Sequence, residues 1–231
     1  MKLWLTLGVL LGSAIASYLL GSISFAVILS KVLKNMDVRA VGSGNAGMTN
    51  AFRAAGKKAG ILTFLGDFGK SAAAVCLGRF LVFPFLINTA GLQMDALFGA
   101  YFCGLFCILG HIYPLYFGFR GGKGVVTALG TFFLIDWKIA LIALAIFAVL
   151  LGLFKMVSLG SIAAAFSLWM LTAVFYQAEL ANTAVYQKPL AVVCSALIGG
   201  ILIVKHKSNI KRILNGTENK ISKKKVGAEG E

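Results

Sequence analysis

Apolar positions in this chain come in long unbroken runs, at about 3 to 30, 59 to 78, 96 to 117, 124 to 135, 139 to 154, 159 to 176 and 190 to 204. Several are close to the ~20 residues that carry an α-helix across a bilayer. The period-2 alternation of a membrane β-barrel is largely missing, so the pattern predicts an all-α, polytopic membrane protein. The ambiguous place is GTFFLIDWKIALI, where residues 124 to 154 read either as one long helix or as two short spans turning at Asp136, Trp137 and Lys138. The first run opens with MKLWLTLGVLLGSAIAS, which imitates a cleaved leader at Ala14-Ile15-Ala16. It continues through YLLGSISFAVILS to about Ser30, which predicts an uncleaved spanning helix.

Charge placement decides between the two readings of residues 124 to 154, because Lys and Arg near span ends concentrate on the cytoplasmic side. With seven spans and the N-terminus outside, the loop from 31 to 58, the loop around 120, Lys155 and the tail from 205 onward hold seventeen basic residues inside. Lys2, Arg79, Lys138 and Lys188 make four outside. A single crossing by 124 to 154 would move the eight basic residues of the tail outside. The expected architecture is therefore seven transmembrane helices with a periplasmic N-terminus and a cytoplasmic C-terminus. Residues 1–206 form one membrane domain, and 207–231 form a basic cytoplasmic segment whose end is disordered.

Composition agrees with this picture: 59% of the 231 residues are hydrophobic, 13% are charged and the mean hydropathy is +0.88. The net charge of +14 is then mostly topology and attraction to anionic lipid, so the bilayer is the expected partner. No zinc-finger, helix-turn-helix or RNA-binding pattern points to nucleic acid. The four cysteines, Cys76, Cys103, Cys107 and Cys194, lie inside apolar runs. They predict packing roles rather than disulfides or a metal site, and no cofactor is expected.

The same topology gathers the chemically unusual stretches on one face: VGSGNAGMTNAFR, GHIYPLYFGFRGGKG, KMVSLGS and KHKSNIKRILNGTE. Glycines in GSGN and FRGGKG permit φ > 0 and let successive N–H groups point into one concavity that binds phosphate oxygens. Arg53, Lys123 and Arg120 add positive charge. Neither stretch has the spacing of a Walker loop. Asp67 and Lys70 fall at i, i+3 inside the second run, where ionisable groups must face the bundle interior, and Asp67 is expected to orient Lys70 towards the cytoplasmic site. His206 and Asn209 fall at i, i+3 if the last helix continues.

In order and spacing these motifs resemble those of the bacterial acyl-phosphate:glycerol-3-phosphate acyltransferase family, PlsY, over nearly the whole chain. The chain departs from the family at Ser24 (more often proline), Met48 (alanine), Ser71 (glycine) and Arg120 (lysine), and none of these removes a donor from the three motifs. The resemblance implies transfer of a fatty acyl group from acyl phosphate to the 1-hydroxyl of sn-glycerol 3-phosphate. The products would be lysophosphatidic acid and phosphate, made on the cytoplasmic face of the inner membrane. The enzyme that makes acyl phosphate would be a functional partner.

Such a reaction needs two anion subsites beside a lipid-open slot. It does not need a covalent acyl-enzyme, because the phosphate of a mixed anhydride leaves readily. Ser43, Arg53, Lys123, His206 and Asn209 are the expected catalytic residues, with His206 or a substrate phosphate as general base. Gly42, Gly44, Asn45, Asn50, Lys70, Gly121, Gly122, Ser158, Ser161 and Glu218 are expected to bind substrate, so that 207–218 completes the site. The alternative class, a small transporter of an organic phosphate, would place its polar groups near the midplane, often between repeats. Here they cluster at one face.

Overall fold

The computed structural model of the chain describes residues 2–91, 94–178 and 187–221, and among these every regular element is helical. The first apolar run forms two helices rather than one: α1 (Lys2–Gly21) and α2 (Phe25–Lys34). The break falls at Ser22, whose hydroxyl donates to Tyr18 O (2.9 Å) and accepts the Leu115 N–H (3.2 Å), tying the end of α1 to a distant part of the chain.

A short helix, α3 (Met48–Ala55), precedes α4 (Lys57–Cys76). The second run also departs from expectation. It does not stop near residue 78 but passes through a π-helical turn, Leu77–Val82, into α5 (Phe83–Ala90), a 34-residue apolar stretch. Pro84 stands in the first turn of α5, where a missing N–H is tolerated, and the helix ends only at Gly91 with φ +71°.

After α6 (Leu97–Ile112) come α7 (Val125–Ile135) and α8 (Trp137–Phe154). The chain between the last two breaks at Asp136, whose carboxylate accepts the Lys138 N–H at 2.9 Å and so starts α8. Residues 124 to 154 thus form two helices rather than one. The helices α9 (Val157–Ala178), α10 (Gln187–Lys205) and α11 (Lys207–Leu214) complete the described chain. A 59° bend separates α10 from α11, so the last helix does not continue straight through His206 as the i, i+3 argument assumed.

Five helical stretches among the described residues are long and apolar enough to cross a bilayer, and the bent α10–α11 pair makes six. The seventh apolar segment, α7, has 11 residues. At ~1.5 Å per residue it reaches about half of a ~30 Å hydrocarbon layer. The expected disorder at the end of the chain concerns residues 222–231, which lie outside the described residues.

The packing suits lipid as the outer solvent. Trp4, Leu11, Val149 and Leu153 point outward, while Ser13, Ser17, Thr63, Ser71, Thr127 and Thr131 are buried. Cys103 and Cys107 are buried packing residues and no described cysteine is disulfide-bonded. Small residues let the helices approach closely: a Cβ on Gly110 would stand 2.1 Å from Tyr18 O where α6 crosses α1. Gly110→Ala is therefore expected to cost about 1–3 kcal/mol through a forced separation of these helices. Thermal unfolding in detergent checks this.

Candidate active site

The loop between α2 and α3 is built around Asn50. Its buried amide donates to Val38 O (2.8 Å) and Val41 O (3.0 Å), and its Oδ1 accepts the Ser43 N–H (3.1 Å). Gly42 has φ +62°, and a Cβ there would lie 2.3 Å from Asn50 Oδ1. The loop is thus shaped by Asn50, whose polar atoms are occupied by protein groups. The expected anion nest is also changed, because Gly44 N–H closes a turn on Val41 O at 3.1 Å and Ser43 N–H is held by Asn50. What this loop presents outward is the Ser43 side chain, with Gly42 and Gly44 exposed and Asn45 half-buried.

Arg39 joins this loop to a second one, which runs between α6 and α7. Asp37 accepts from both the backbone N–H (2.9 Å) and the guanidinium (2.7 to 3.1 Å) of Arg39, whose Nη1 then donates to Phe117 O at 2.6 Å. The guanidinium holds the Asp37 carboxyl below its ordinary range.

In the second loop, Gly121 and Gly122 are required by close approach rather than by positive φ, which falls instead at Gly118 and Gly124. A Cβ on Gly121 would meet His111 O at 2.0 Å, and one on Gly122 would meet His111 Nε2 at 2.2 Å and Ala46 O at 2.7 Å. The Gly122 N–H donates to His111 O (3.1 Å), so it too is taken by the protein. The two loops pack on each other here, and Lys123 follows at once.

Lys123 Nζ donates to Asn209 Oδ1, and Asn209 Nδ2 donates to Glu218 Oε1 at 2.8 Å. The same carboxylate accepts from Ser158 Oγ (2.7 Å) and Arg212 Nε (2.8 Å). Three separated parts of the chain thus meet in one polar cluster. Burial pushes the Glu218 pKa up, but the three donors outweigh it and leave it below the ordinary range. Burial also draws the Lys123 pKa down to about 8, opposed by Glu218 and assisted by Arg212 and Lys205.

His206, at the α10–α11 bend, is pushed down to about 4, mainly by burial. Its Nδ1 lies 2.8 Å from Leu202 O. A carbonyl can only accept, so Nδ1 carries the proton and Nε2 the lone pair. The ring is neutral at pH 7 and a weaker base than an ordinary histidine.

Beside the cluster lies an apolar cavity of about 700 Å³ between α3, α4, α7, α8 and α9. Phe132, Ala140, Ala143 and Leu168 are among the buried residues that line it, and Arg53, Thr49 and Lys220 are among the few polar residues that border it. Ser161 also lines it, with its hydroxyl turned back to Val157 O (2.9 Å). The tail reaches the cavity because the Ile221 N–H donates to Lys155 O at 2.7 Å.

The family model described as glycerol-3-phosphate acyltransferase matches residues 11–216. The chain belongs to this family. It is 38% identical to a glycerol-3-phosphate acyltransferase of Clostridioides difficile, over 92% of this chain and 95% of that one. Two crystal structures of PlsY, an integral membrane glycerol 3-phosphate acyltransferase, are also similar. The glycerol 3-phosphate form matches with a TM-score of 0.76 at 36% identity, covering 92% of this chain and 96% of that one. The lysophosphatidic acid form gives 0.73 and 35%, covering 92% and 95%. With these likenesses, the apolar helices are those of a multi-pass integral membrane protein.

For this acyltransferase the structure brings Lys123, Asn209, Ser158 and Glu218 together, and sets Arg53 and Ser161 at the cavity. Lys70 departs from its expected place at substrate. Its buried ammonium is surrounded by Asp67 Oδ1 (2.8 Å), Ile23 O (2.7 Å) and His111 Nδ1 (3.1 Å). Sequence reasoning missed Arg212, although its i, i+3 spacing from Asn209 was the available signal. Arg39 was missed too, because its partner carbonyls lie on a loop 78 residues away.

Proposed function

We propose that this chain transfers a fatty acyl group from acyl phosphate to the 1-hydroxyl of sn-glycerol 3-phosphate, giving lysophosphatidic acid and inorganic phosphate. This is the first acylation of bacterial phospholipid synthesis, and the enzyme that makes acyl phosphate is its functional partner. The observation that carries this reading is the adjacency of a cationic hydrogen-bonding cluster around Lys123 to a 700 Å³ apolar cavity bordered by Arg53 and Lys220. One substrate needs an anion site alone, and the other needs an anion site opening into a lipid slot.

In the proposed reaction the glycerol hydroxyl attacks the acyl carbonyl, the anhydride C–O bond breaks and phosphate leaves with the electron pair. Lys123 and Arg53 stabilise the negative charge that develops on the carbonyl and on the departing phosphate. Asn209, Glu218 and Ser158 hold the Lys123 ammonium in place, with Ser43 and Asn45 presented from the first loop. The hydroxyl proton goes to a substrate phosphate oxygen, which lies within the reacting pair itself and carries negative charge. His206 Nε2 remains as an acceptor that orients the hydroxyl. We further propose seven spans in the bacterial inner membrane, with α7 completing the count, the N-terminus periplasmic and the site cytoplasmic.

Free Lys123 loses its charge as pH rises through about 8. The kcat/KM profile is expected to fall on that alkaline limb, and Lys123→Arg, which stays protonated, should move the limb upward. Purified protein in detergent, given synthetic acyl phosphate and glycerol 3-phosphate, should release phosphate only when both are present. Acylation of glycerol 3-phosphate by an acyl thioester but not by acyl phosphate would overturn the donor assignment. Uptake of glycerol 3-phosphate into vesicles without chemistry would favour a transporter.

A further inference from the structure

Asp67, Lys70 and His111 form a polar cluster inside the bundle that takes no part in the scheme above. Their side chains are only 1% to 5% exposed. An isolated buried ion pair recovers its desolvation cost only in part, and ionisable groups at membrane depth are retained where they serve a site. The Lys70 ammonium has donors only, so His111 Nδ1 accepts from it at 3.1 Å and the ring proton lies on Nε2. Asp67 Oδ1, 3.4 Å from the same nitrogen and 2.8 Å from Lys70 Nζ, holds the ammonium in place.

Both outputs of this cluster lead to the site loops. Lys70 Nζ also donates to Ile23 O (2.7 Å), at the break from which α2 runs to the first loop. His111 O receives the Gly122 N–H (3.1 Å), and the position of a Gly122 Cβ is 2.2 Å from His111 Nε2. The residue after Gly122 is Lys123.

We infer that Asp67, Lys70 and His111 are positioning residues for acyl transfer: Lys70 fixes the His111 ring through Nδ1, and His111 fixes Gly122 and with it the Lys123 ammonium. The inference rests on the reading of Lys123 as a substrate-binding cation. It makes Lys70 a support for the loops rather than a contact to phosphate.

The test separates the two ring nitrogens. In His111→Asn the side-chain oxygen stands near the position of Nδ1 and still accepts from Lys70, whereas His111→Gln places its amide near Nε2 and leaves Lys70 without that acceptor. His111→Gln should lower kcat/KM about 10- to 100-fold through misplacement of Lys123, with His111→Asn, which keeps the acceptor for Lys70 but not the Nε2 contact to Gly122, losing less. The pair Asp67→Asn with Lys70→Gln removes both charges without orphaning either, and should lose as much as His111→Gln.

The second readout needs no turnover: the rate at which an amine-reactive reagent modifies Lys123 in folded protein, followed by peptide mass spectrometry. It should rise in His111→Gln and in the charge-free pair, and rise less in His111→Asn. Equal behaviour of the Asn and Gln variants, or wild-type activity and labelling in the charge-free pair, would overturn the inference. Wild-type protein lacking acyl transfer would overturn the functional reading instead, with the labelling pattern still deciding this one.

Discussion

Lys123→Ala is expected to lower kcat/KM at least ~100-fold in protein that still folds and inserts, a loss of about 2.7 kcal/mol or more of transition-state stabilisation. The size follows from where the ammonium sits. It is drawn out of water enough to bring its pKa to about 8, yet remains charged at neutral pH and hydrogen-bonded to Asn209. A charge in such surroundings is poorly screened and already oriented, so it stabilises developing negative charge without rearranging. Its removal also frees Asn209 from one of its two partners. Lys123→Arg keeps a cation and should retain more activity than alanine, though less than wild type, because the planar fork does not fit a site built for a point charge. Steady-state kinetics on protein of matched thermal stability separates these cases.

Gly122→Ala is expected to cost as much from a single added methyl group. Its Cβ would fall 2.2 Å from His111 Nε2 and 2.7 Å from Ala46 O. One neighbour is a buried ring held by Lys70 and the other is backbone, so neither can swing aside. The loop itself must shift, carrying Lys123 with it, and a displacement near 1 Å at a reacting centre costs on the order of 100-fold. Gly152→Ala is the matching control: a Cβ there meets nothing within 4 Å, and it should leave both activity and Tm near wild type. Measuring kcat/KM and Tm together for the pair distinguishes a displaced loop from general unfolding.

Much of this architecture was legible in the chain because lipid imposes a simple rule on residue order. Apolar runs located the long helices, and the ambiguous Asp136 resolved as an N-cap because a short carboxylate before a helix accepts free N–H groups. The helix breaks were harder to read. The break at Ser22 comes with a bond to Leu115, a partner distant in sequence, and the π-helical turn at Leu77–Val82 is marked in the sequence only by Pro84 just beyond it, which has no N–H to donate to Phe80 O.

Site residues divided in the same way. Lys123, Asn209, Ser158 and Glu218 could be collected from motif order, since each lies in a polar stretch on one expected face. Their hydrogen bonds, and the use of Asn50 and Lys70 as internal supports, depend on atoms meeting across the bundle. Glycines misled most: both GSGN and FRGGKG read as phosphate nests, whereas the N–H groups of Ser43, Gly44 and Gly122 bind protein oxygens and Gly122 is small because His111 adjoins it.

The most direct measurement is product identification by mass spectrometry after incubating the purified protein with acyl phosphate and glycerol 3-phosphate. The predicted result is lysophosphatidic acid acylated at the 1-position, with one phosphate released for each acyl group transferred and the yield abolished by Lys123→Ala. Acyl phosphate consumed while glycerol 3-phosphate stays unacylated, or glycerol 3-phosphate recovered unchanged inside sealed vesicles, would contradict the account.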